Sequence, residues 1–579
     1  MRRDHIGRQR AHAVALAAFT VLAVMLFATA WADPLHRSVA PGLDSMNTMW
    51  FLRWIPFAVT HAHNPLITTY MDYPAGVNVM WNNADGLPAV GLLTAPLQAF
   101  LPLPAVFDLV ATVSIALSAW AAYLAISRHV DHLGAAWVGG LVYGFGPYMS
   151  AQWLGHIGLN LAFIAPLILV CLEEILVYQR RPAARLGVVL GVLAALQVLL
   201  TEEMLATEAV VAAALLAGLV LLHPREVWSR IPFAARSLLV SMVVFVVLAG
   251  PAIAEQFLGP QHLRGALRAP NVYVTDLLNL VLPTSALLLH PFGITGGDGW
   301  TGNGTEWNGY IGVPLLLVCA LAAVRLRARA DVRLAVLCGV VVTVLSLGPR
   351  VHIGGQTTHL PGLWHAARLP VLQNILPGRL MLFVDLAVGW LLAALLESLV
   401  RAPRRRPGLA AAAGIAAVAV LSLMPAWPVT AETHEVPAYF TGQGVQSLAA
   451  GSNVLVFPLP LGHAFDDRYA YEPLLWQVTA NFRFRVPVFT AIVPAPNLTQ
   501  LPEPDLGPLA RGVVAIQDGA ATAPSLPDHD AVLGDLRARR VSTLILGPMP
   551  RRDEVLAYVA SVLGPGQDDA GVTVWRLDR

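Results

Sequence analysis

A polytopic α-helical membrane bundle of about eleven spans, followed by an extracytoplasmic α/β domain, is the fold this sequence predicts. Three observations lead there. Of the 579 residues, 56% are hydrophobic and only 13% charged, whereas a soluble globular chain carries about 25% charged residues. Apolar runs of membrane length recur up to residue 427 and then stop. Arginine clusters separate these runs in a pattern that fits one orientation.

A membrane helix needs roughly 20 mainly apolar residues. Runs that meet or approach this lie near residues 12–31, 104–127, 135–150, 157–178, 184–201, 205–222, 237–256, 308–325, 332–348, 380–400 and 408–427. The stretch 87–103 is also apolar but is interrupted by Pro88, Pro96 and Pro102. Treated as a helix lying in the outer interface, it leaves the loops with Arg128, Arg180/Arg181/Arg185, Arg225/Arg230/Arg236, Arg325/Arg327/Arg329/Arg333 and Arg401/Arg404/Arg405/Arg406 on the cytoplasmic side. The positive-inside rule is then obeyed at every cluster, with the N-terminus inside and the C-terminus outside a bacterial plasma membrane. The first run also has signal-peptide features, a basic MRRDHIGRQR and an Ala-x-Ala site in FATAWAD. Its apolar stretch exceeds the usual h-region of about 7–15 residues, which favours a retained span.

The expected domains are a membrane domain over residues 1–427, with an outer loop and interfacial helices over 32–103, and an extracytoplasmic α/β domain over 428–579. In the tail, NVLVFPL (453–459), VSTLILG (541–547) and VTVWRL (572–577) read as strands, and RRDEVLAYVASVL (551–563) reads as an amphipathic helix. A tail of this size suffices for one core. The three cysteines all lie in apolar runs, which excludes a disulfide framework or a cysteine metal site. Every Lys+Arg side chain is Arg, suggesting a GC-rich bacterial genome, and the arginines form no nucleic-acid footprint. The sequence has no P-loop, dinucleotide fingerprint, HExxH or GxSxG.

Asp44, in PGLDSMNTMWFLRW just after the first span, stands near the start of an interfacial amphipathic helix that also carries Arg53. A carboxylate there can deprotonate an acceptor hydroxyl at the membrane surface, or simply cap the helix. Glu202, Glu203 and Glu208, in LLTEEMLATEA, lie at the outer ends of two spans. Ionisable groups at such depth tend to mark functional interiors, though a tight turn reaching water also accommodates them; Glu202 is the preferred member. Glu173 and Glu174, toward the cytoplasmic end of their span, are read as snorkelling or pairing with the arginines beside them. His156, in SAQWLGHIGLN, can contact phosphate or a sugar hydroxyl, shuttle a proton, or be an ordinary turn histidine. Arg368 and Arg379, in WHAARLPVLQNILPGRLM, face outward against the positive-inside trend. Either can hold a lipid phosphate bidentately or meet headgroups at a helix end. Asp72, Tyr73 and Asn78 belong to a turn-rich loop that either lines a site or only folds on itself. The Gly, Asn and Trp-rich stretch 296–310 is a sugar-contacting loop or a connection.

In order along the chain, GLDSMNTMWFLRW, YPAGVN, GFGPYMSAQWLGHIGLN, TEWNGYIG and LPVLQNILPGRL resemble a largely actinobacterial group of membrane proteins assigned to the GT-C class of glycosyltransferases. That resemblance implies a GT-C-like bundle and a polyprenyl-phosphate sugar as donor. It further implies a lipid or glycan acceptor in the cell envelope, Asp44 as general base, and Arg379 as a phosphate ligand. No cofactor is implied beyond the lipid-linked donor. Many GT-C members have paired acids in the first outer loop, whereas here Asp44 is followed by Ser45 and Met46, so divalent metal stays open. The expected function is glycosyl transfer on the outer face. The alternatives are a non-catalytic transporter or flippase for an envelope lipid, and a scaffold whose tail binds cell-wall polymer.

Overall fold

The computed structural model describes residues 2–40, 42–82, 86–290, 300–364, 372–402, 405–459, 471–488, 491–494, 506–519 and 524–577. In chain order the principal elements are α1 (Arg2–Leu26), β1 (Arg37–Val39), α2 (Leu43–Thr60), α3 (Leu103–Ile126), α4 (Leu133–Phe145), α5 (Ile164–Glu173), α6 (Ala183–Leu222), α7 (Pro224–Leu258), α8 (Val313–Arg325), α9 (Ala330–Ser346), α10 (Met381–Val400) and α11 (Arg405–Leu423). They continue with β2 (Ala431–Thr433), β3 (Ser452–Phe457), α12 (Glu472–Thr479), β4 (Phe484–Arg485), α13 (Pro508–Gln517), α14 (His529–Ala538), β5 (Val541–Leu546), α15 (Arg552–Leu563), β6 (Gln567–Asp569) and β7 (Val572–Arg576). The chain divides into two compact units: Met1–Ala32, Asp108–Pro251 and Gly265–Thr430 in the first, and Asp33–Phe107, Ala252–Arg264 and Ala431–Arg579 in the second.

The first unit is mainly helical, with one antiparallel strand pair, Arg350–Ile353 and Gln356–Pro361. Among the described residues, seven helices of the chain are long and apolar enough to cross a membrane, and the chain is a multi-pass membrane protein. The expected runs fall on those seven and on three shorter helices, α4, α8 and α9. Runs 184–201 and 205–222 share α6, where the expected turn over 201–207 reduces to one non-helical residue, Thr201, with φ −161° and ψ 109°. A straight helix of 40 residues would extend about 60 Å, roughly twice the hydrocarbon thickness, so the break at Thr201 is where the chain can change direction.

Small residues set the closest helix contacts. A Cβ on Gly139 of α4 would lie 2.6 Å from the Gly389 carbonyl of α10, and one on Gly389 would lie 2.5 Å from the Gly139 carbonyl. On other parts of α4, Gly140 and Gly144 bring the same helix against Ala119 of α3, and Gly187 and Gly191 bring α6 against α7. Where lipid removes the hydrophobic driving force, such backbone approach supplies the packing. Gly139→Ala or Gly389→Ala is expected to cost at least the ~1–3 kcal/mol typical of overpacking, read as a lower thermal unfolding midpoint in detergent. Gly414→Ala on α11, where an added Cβ meets nothing within 4 Å, is the matched control and should leave the midpoint unchanged or raised.

The second unit combines the tail with the segment expected to be an outer loop of the membrane domain. β1 pairs antiparallel with β2, Ser38 opposite Glu432. Trp50 Nε1 on α2 donates to Gln477 Oε1 on α12 at 2.6 Å. Trp54 and Phe57 pack on Phe482 with ring centroids 5.7 and 4.6 Å away. These contacts place α2 in the core of this unit rather than on a separate loop. Its five-stranded sheet has the order β6-β7-β5-β3-β4, with β3 parallel to β4 and β5, and the remaining pairs antiparallel. Leu455 and Phe457 of β3 join one buried cluster with α13, α14 and α15, while Val454 and Val456 join another with Tyr439, Phe440 and Trp476. A strand covered on both faces needs an unbroken apolar run, which NVLVF supplies. The stretch 87–103 forms a short helix, Pro88–Thr94, that leaves Leu93 73% and, beyond it, Phe100 87% exposed.

Candidate functional site

In the second unit, the helix α2 positions Asp44. Gly42 is its N-cap, with φ 106°, a conformation favouring glycine. Asp44 is thus not the cap. It sits half-buried in the first turn, where the unpaired N–H groups and the positive end of the helix dipole favour an anion. Beside it, Ser45, Asn47 and Thr48 are 1%, 5% and 0% exposed. Ser45 Oγ, Asn47 Oδ1 and Thr48 Oγ1 find no hydrogen-bond partner among the described residues. Buried polar atoms are normally satisfied, so unpaired ones point to a water or ligand. Trp50, Trp54 and Phe57, at i, i+4 and i+7, turn the apolar stripe of α2 into the core and so orient this polar first turn. Arg53 is not brought to Asp44. At about 100° per residue the two lie on opposite faces of α2, about 14 Å apart along its axis, and Arg53 Nη2 reaches Asn481 Oδ1 at 3.5 Å.

The first unit holds a buried ionic cluster. Arg379, in the turn Pro377–Leu380 that leads into α10, is 8% exposed. Its Nε donates to both Glu306 oxygens at 3.1 and 3.2 Å, and its Nη1 donates to Glu203 Oε2. Glu203 Oε1 also accepts from Leu376 N at 2.9 Å. His156 Nδ1 lies 2.8 Å from Gln152 Oε1 and 3.6 Å from Glu306 Oε1. Burial pushes Glu306 up, but the charge and hydrogen bonds of Arg379 outweigh it and hold the carboxyl below its ordinary range.

The structure brings His156 and Arg379, separate candidates in the sequence, together through Glu306, which the sequence did not single out. An acid in an otherwise Gly, Asn and Trp-rich loop, with an outward arginine needing a counter-charge, was the available signal. Arg379 meets Glu203, the neighbour of the preferred Glu202. Arg379 is occupied by carboxylates rather than standing open to headgroups. Arg368 lies outside the described residues, as do residues 296–299 of the Gly-rich loop. Glu173 and Glu174 pair with Arg128 at 2.9 and 2.7 Å. Deeper in the bundle, Asp385 Oδ2 accepts from Tyr148 N at 3.3 Å, and both Glu208 oxygens are buried without a partner among the described residues.

In the loop of the second unit, Asn78 is structural: its Nδ2 donates to the carbonyls of Glu255 and Pro260, both at 3.0 Å. Asp72 has φ 50°, and burial raises its carboxyl to about 6. The folded state then holds a proton that the unfolded state has lost between roughly pH 4 and 6, so this group's contribution to stability falls as pH rises through that window. Asp72→Asn keeps a residue suited to positive φ and removes the charge. Its thermal midpoint should exceed that of the parent protein at pH 7 and match it near pH 4.

A family model described as "Domain of unknown function (DUF6311)" matches residues 14–376. The chain belongs to the DUF6311 family. This member has a fold similar to that of the arabinofuranosyltransferase AftD from Mycobacteria, with a TM-score of 0.60 and 17% identity over 98% of this chain. It spans 40% of the length of that protein. The R1389S mutant of AftD aligns over 93% of this chain and 37% of its own, with a TM-score of 0.57 and 17% identity. ArnT from Cupriavidus metallidurans aligns over 97% of this chain and 98% of its own, at 13% identity and a TM-score of 0.48. No curated protein matches the chain. The DUF6311 match spans most of the helical unit and the segment bearing Asp44, and the likeness to AftD is one of fold.

Proposed function

We propose that this DUF6311 protein is a membrane glycosyltransferase that moves a sugar from a polyprenyl-phosphate donor to a cell-envelope acceptor on the outer face of a bacterial plasma membrane. The observation that carries this reading is Asp44 in the first turn of α2, bordered by three buried polar side chains whose oxygens lack partners among the described residues. The fold likeness to an arabinofuranosyltransferase supports it. In the proposed step the acceptor oxygen attacks the anomeric carbon while its proton passes to Asp44. The bond from that carbon to the phosphate oxygen breaks, and the phosphate leaves with the electron pair and its lipid. A single displacement of this kind inverts the anomeric centre. The orientation, with about eleven crossings and the N-terminus inside, is part of the same proposal. So is the interfacial placement of Pro88–Thr94, whose exposed Leu93, with Phe100 beyond it, suits a membrane surface.

A second reading, transport of an envelope lipid, is favoured by Asp385 and Glu208, because ionisable groups inside a helical bundle tend to mark pathways. Proteoliposomes containing the purified chain and a polyprenyl phosphate bearing a radiolabelled sugar separate the two. Transfer predicts that label leaves the lipid for an added envelope acceptor. Label that stays on the lipid but crosses the bilayer would replace the transferase reading with the transporter.

A further inference from the structure

A cleft of about 590 Å³ in the second unit is not used by any step above. One face of α14 forms a wall, with Leu533, Leu536 and Arg537 on successive turns and Arg540 just beyond. Val541, Leu563 and Leu577 extend the aliphatic surface, and Arg576 at the end of β7 adds a third guanidinium. No lining residue is acidic, although the chain as a whole balances 37 Lys+Arg against 36 Asp+Glu. The arginines of α14 divide by partner. Arg539 is tied to Asp535, Nε to Oδ1 at 2.8 Å, and does not line the cleft. Arg537 and Arg540 do line it, are exposed, and have no ion pair among the described residues. Neutralising the C-terminal end of α14 accounts for a cation there, but not for Arg576, which comes from a strand. Two polar atoms of the lining residues are also buried without a partner among the described residues, Ser452 Oγ and Asn453 Oδ1, and Asn453 is 5% exposed. The first can donate to an anion, the second can accept from a phosphate O–H.

Aliphatic floor, cationic rim and a volume in the range of about 300–1,000 Å³ that holds small ligands together define the ligand. We propose that the cleft binds a phosphate monoester carried on an aliphatic stem, with Arg537, Arg540 and Arg576 holding the phosphate and Leu533, Leu536 and Leu577 covering the stem. This site is independent of the transfer reading, since neither Asp44 nor the Arg379 cluster takes part.

The test uses the full chain in lipid nanodiscs and water-soluble hexyl phosphate, titrated calorimetrically, with inorganic phosphate and hexanol as separated halves of the ligand. Saturable binding of hexyl phosphate is expected, with each half weaker by about tenfold or more, and the Arg537→Ala/Arg540→Ala variant is expected to lose about tenfold or more. Both arginines are exposed, so this variant should fold; Leu533→Asn provides a second reading, weakening hexyl phosphate while sparing inorganic phosphate. Unchanged affinity in the double arginine variant overturns the proposal. So does inorganic phosphate or hexanol binding as tightly as hexyl phosphate.

Discussion

Asp44→Asn is expected to slow sugar transfer by about 10²- to 10⁴-fold, the contribution of a positioned general base. The change is nearly isosteric and keeps a polar group in the first turn of α2. Loss of its charge–dipole interaction costs the fold roughly 0.3–1 kcal/mol. Transfer rates from labelled carrier lipid, measured at equal protein in the same membranes, read the chemistry, and the thermal midpoint reads the fold. Undiminished transfer by a well-folded Asp44→Asn protein would remove Asp44 from the mechanism. The neighbouring residues sharpen the comparison. If Ser45 and Thr48 meet substrate, Ser45→Ala and Thr48→Val should raise KM without loss of stability, since deleting an unsatisfied buried hydroxyl relieves a desolvation cost.

Arg379→Met should have the largest effect on folding. It leaves Glu203 and Glu306 facing each other without their shared cation, and breaking a buried ion pair from one side costs about 3–5 kcal/mol. Loss of folded protein from detergent-solubilised membranes is the expected result. The triple change Glu203→Gln, Arg379→Met, Glu306→Gln removes every charge of the trio and should recover most of the stability, because neutral replacement of a buried network is often tolerated. Transfer by the folded triple variant then separates roles: parental activity makes the cluster a structural clamp, and its loss assigns the cluster to substrate handling.

Much of the helical architecture was legible because apolar length is a direct physical requirement of a bilayer. All the runs from 12–31 to 408–427 fall on helices. What single-sequence patterning could not resolve was how runs join. Leu200 and Glu202 flank a single non-helical residue, and nothing in LLTEEMLATEA distinguishes a kink from a turn. The strand-like runs of the tail coincide with Ser452–Phe457, Val541–Leu546 and Val572–Arg576, because β-branched residues and short length mark them locally. The company kept by α2 was invisible: Trp50, Trp54 and Phe57 advertised an amphipathic helix, but not that Gln477 and Phe482, far along the chain, would receive it. The same limit applied to the ionic cluster. An arginine shows its need for a counter-charge in sequence, whereas the meeting of Arg379 with Glu203 and Glu306 depends on tertiary packing.

The contact between Gly139 and Gly389 fixes more than affinity between two helices. With carbonyl oxygens against α-carbons and no side chain between, α4 and α10 cannot slide past each other or rotate without a clash, so Gly389 acts as a datum for the whole length of α10. Asp385 is one turn before it, and Arg379 roughly 15 Å before it along the axis. The depth at which the guanidinium of Arg379 meets Glu306 is thus gauged from mid-helix, by two residues that carry no functional group at all.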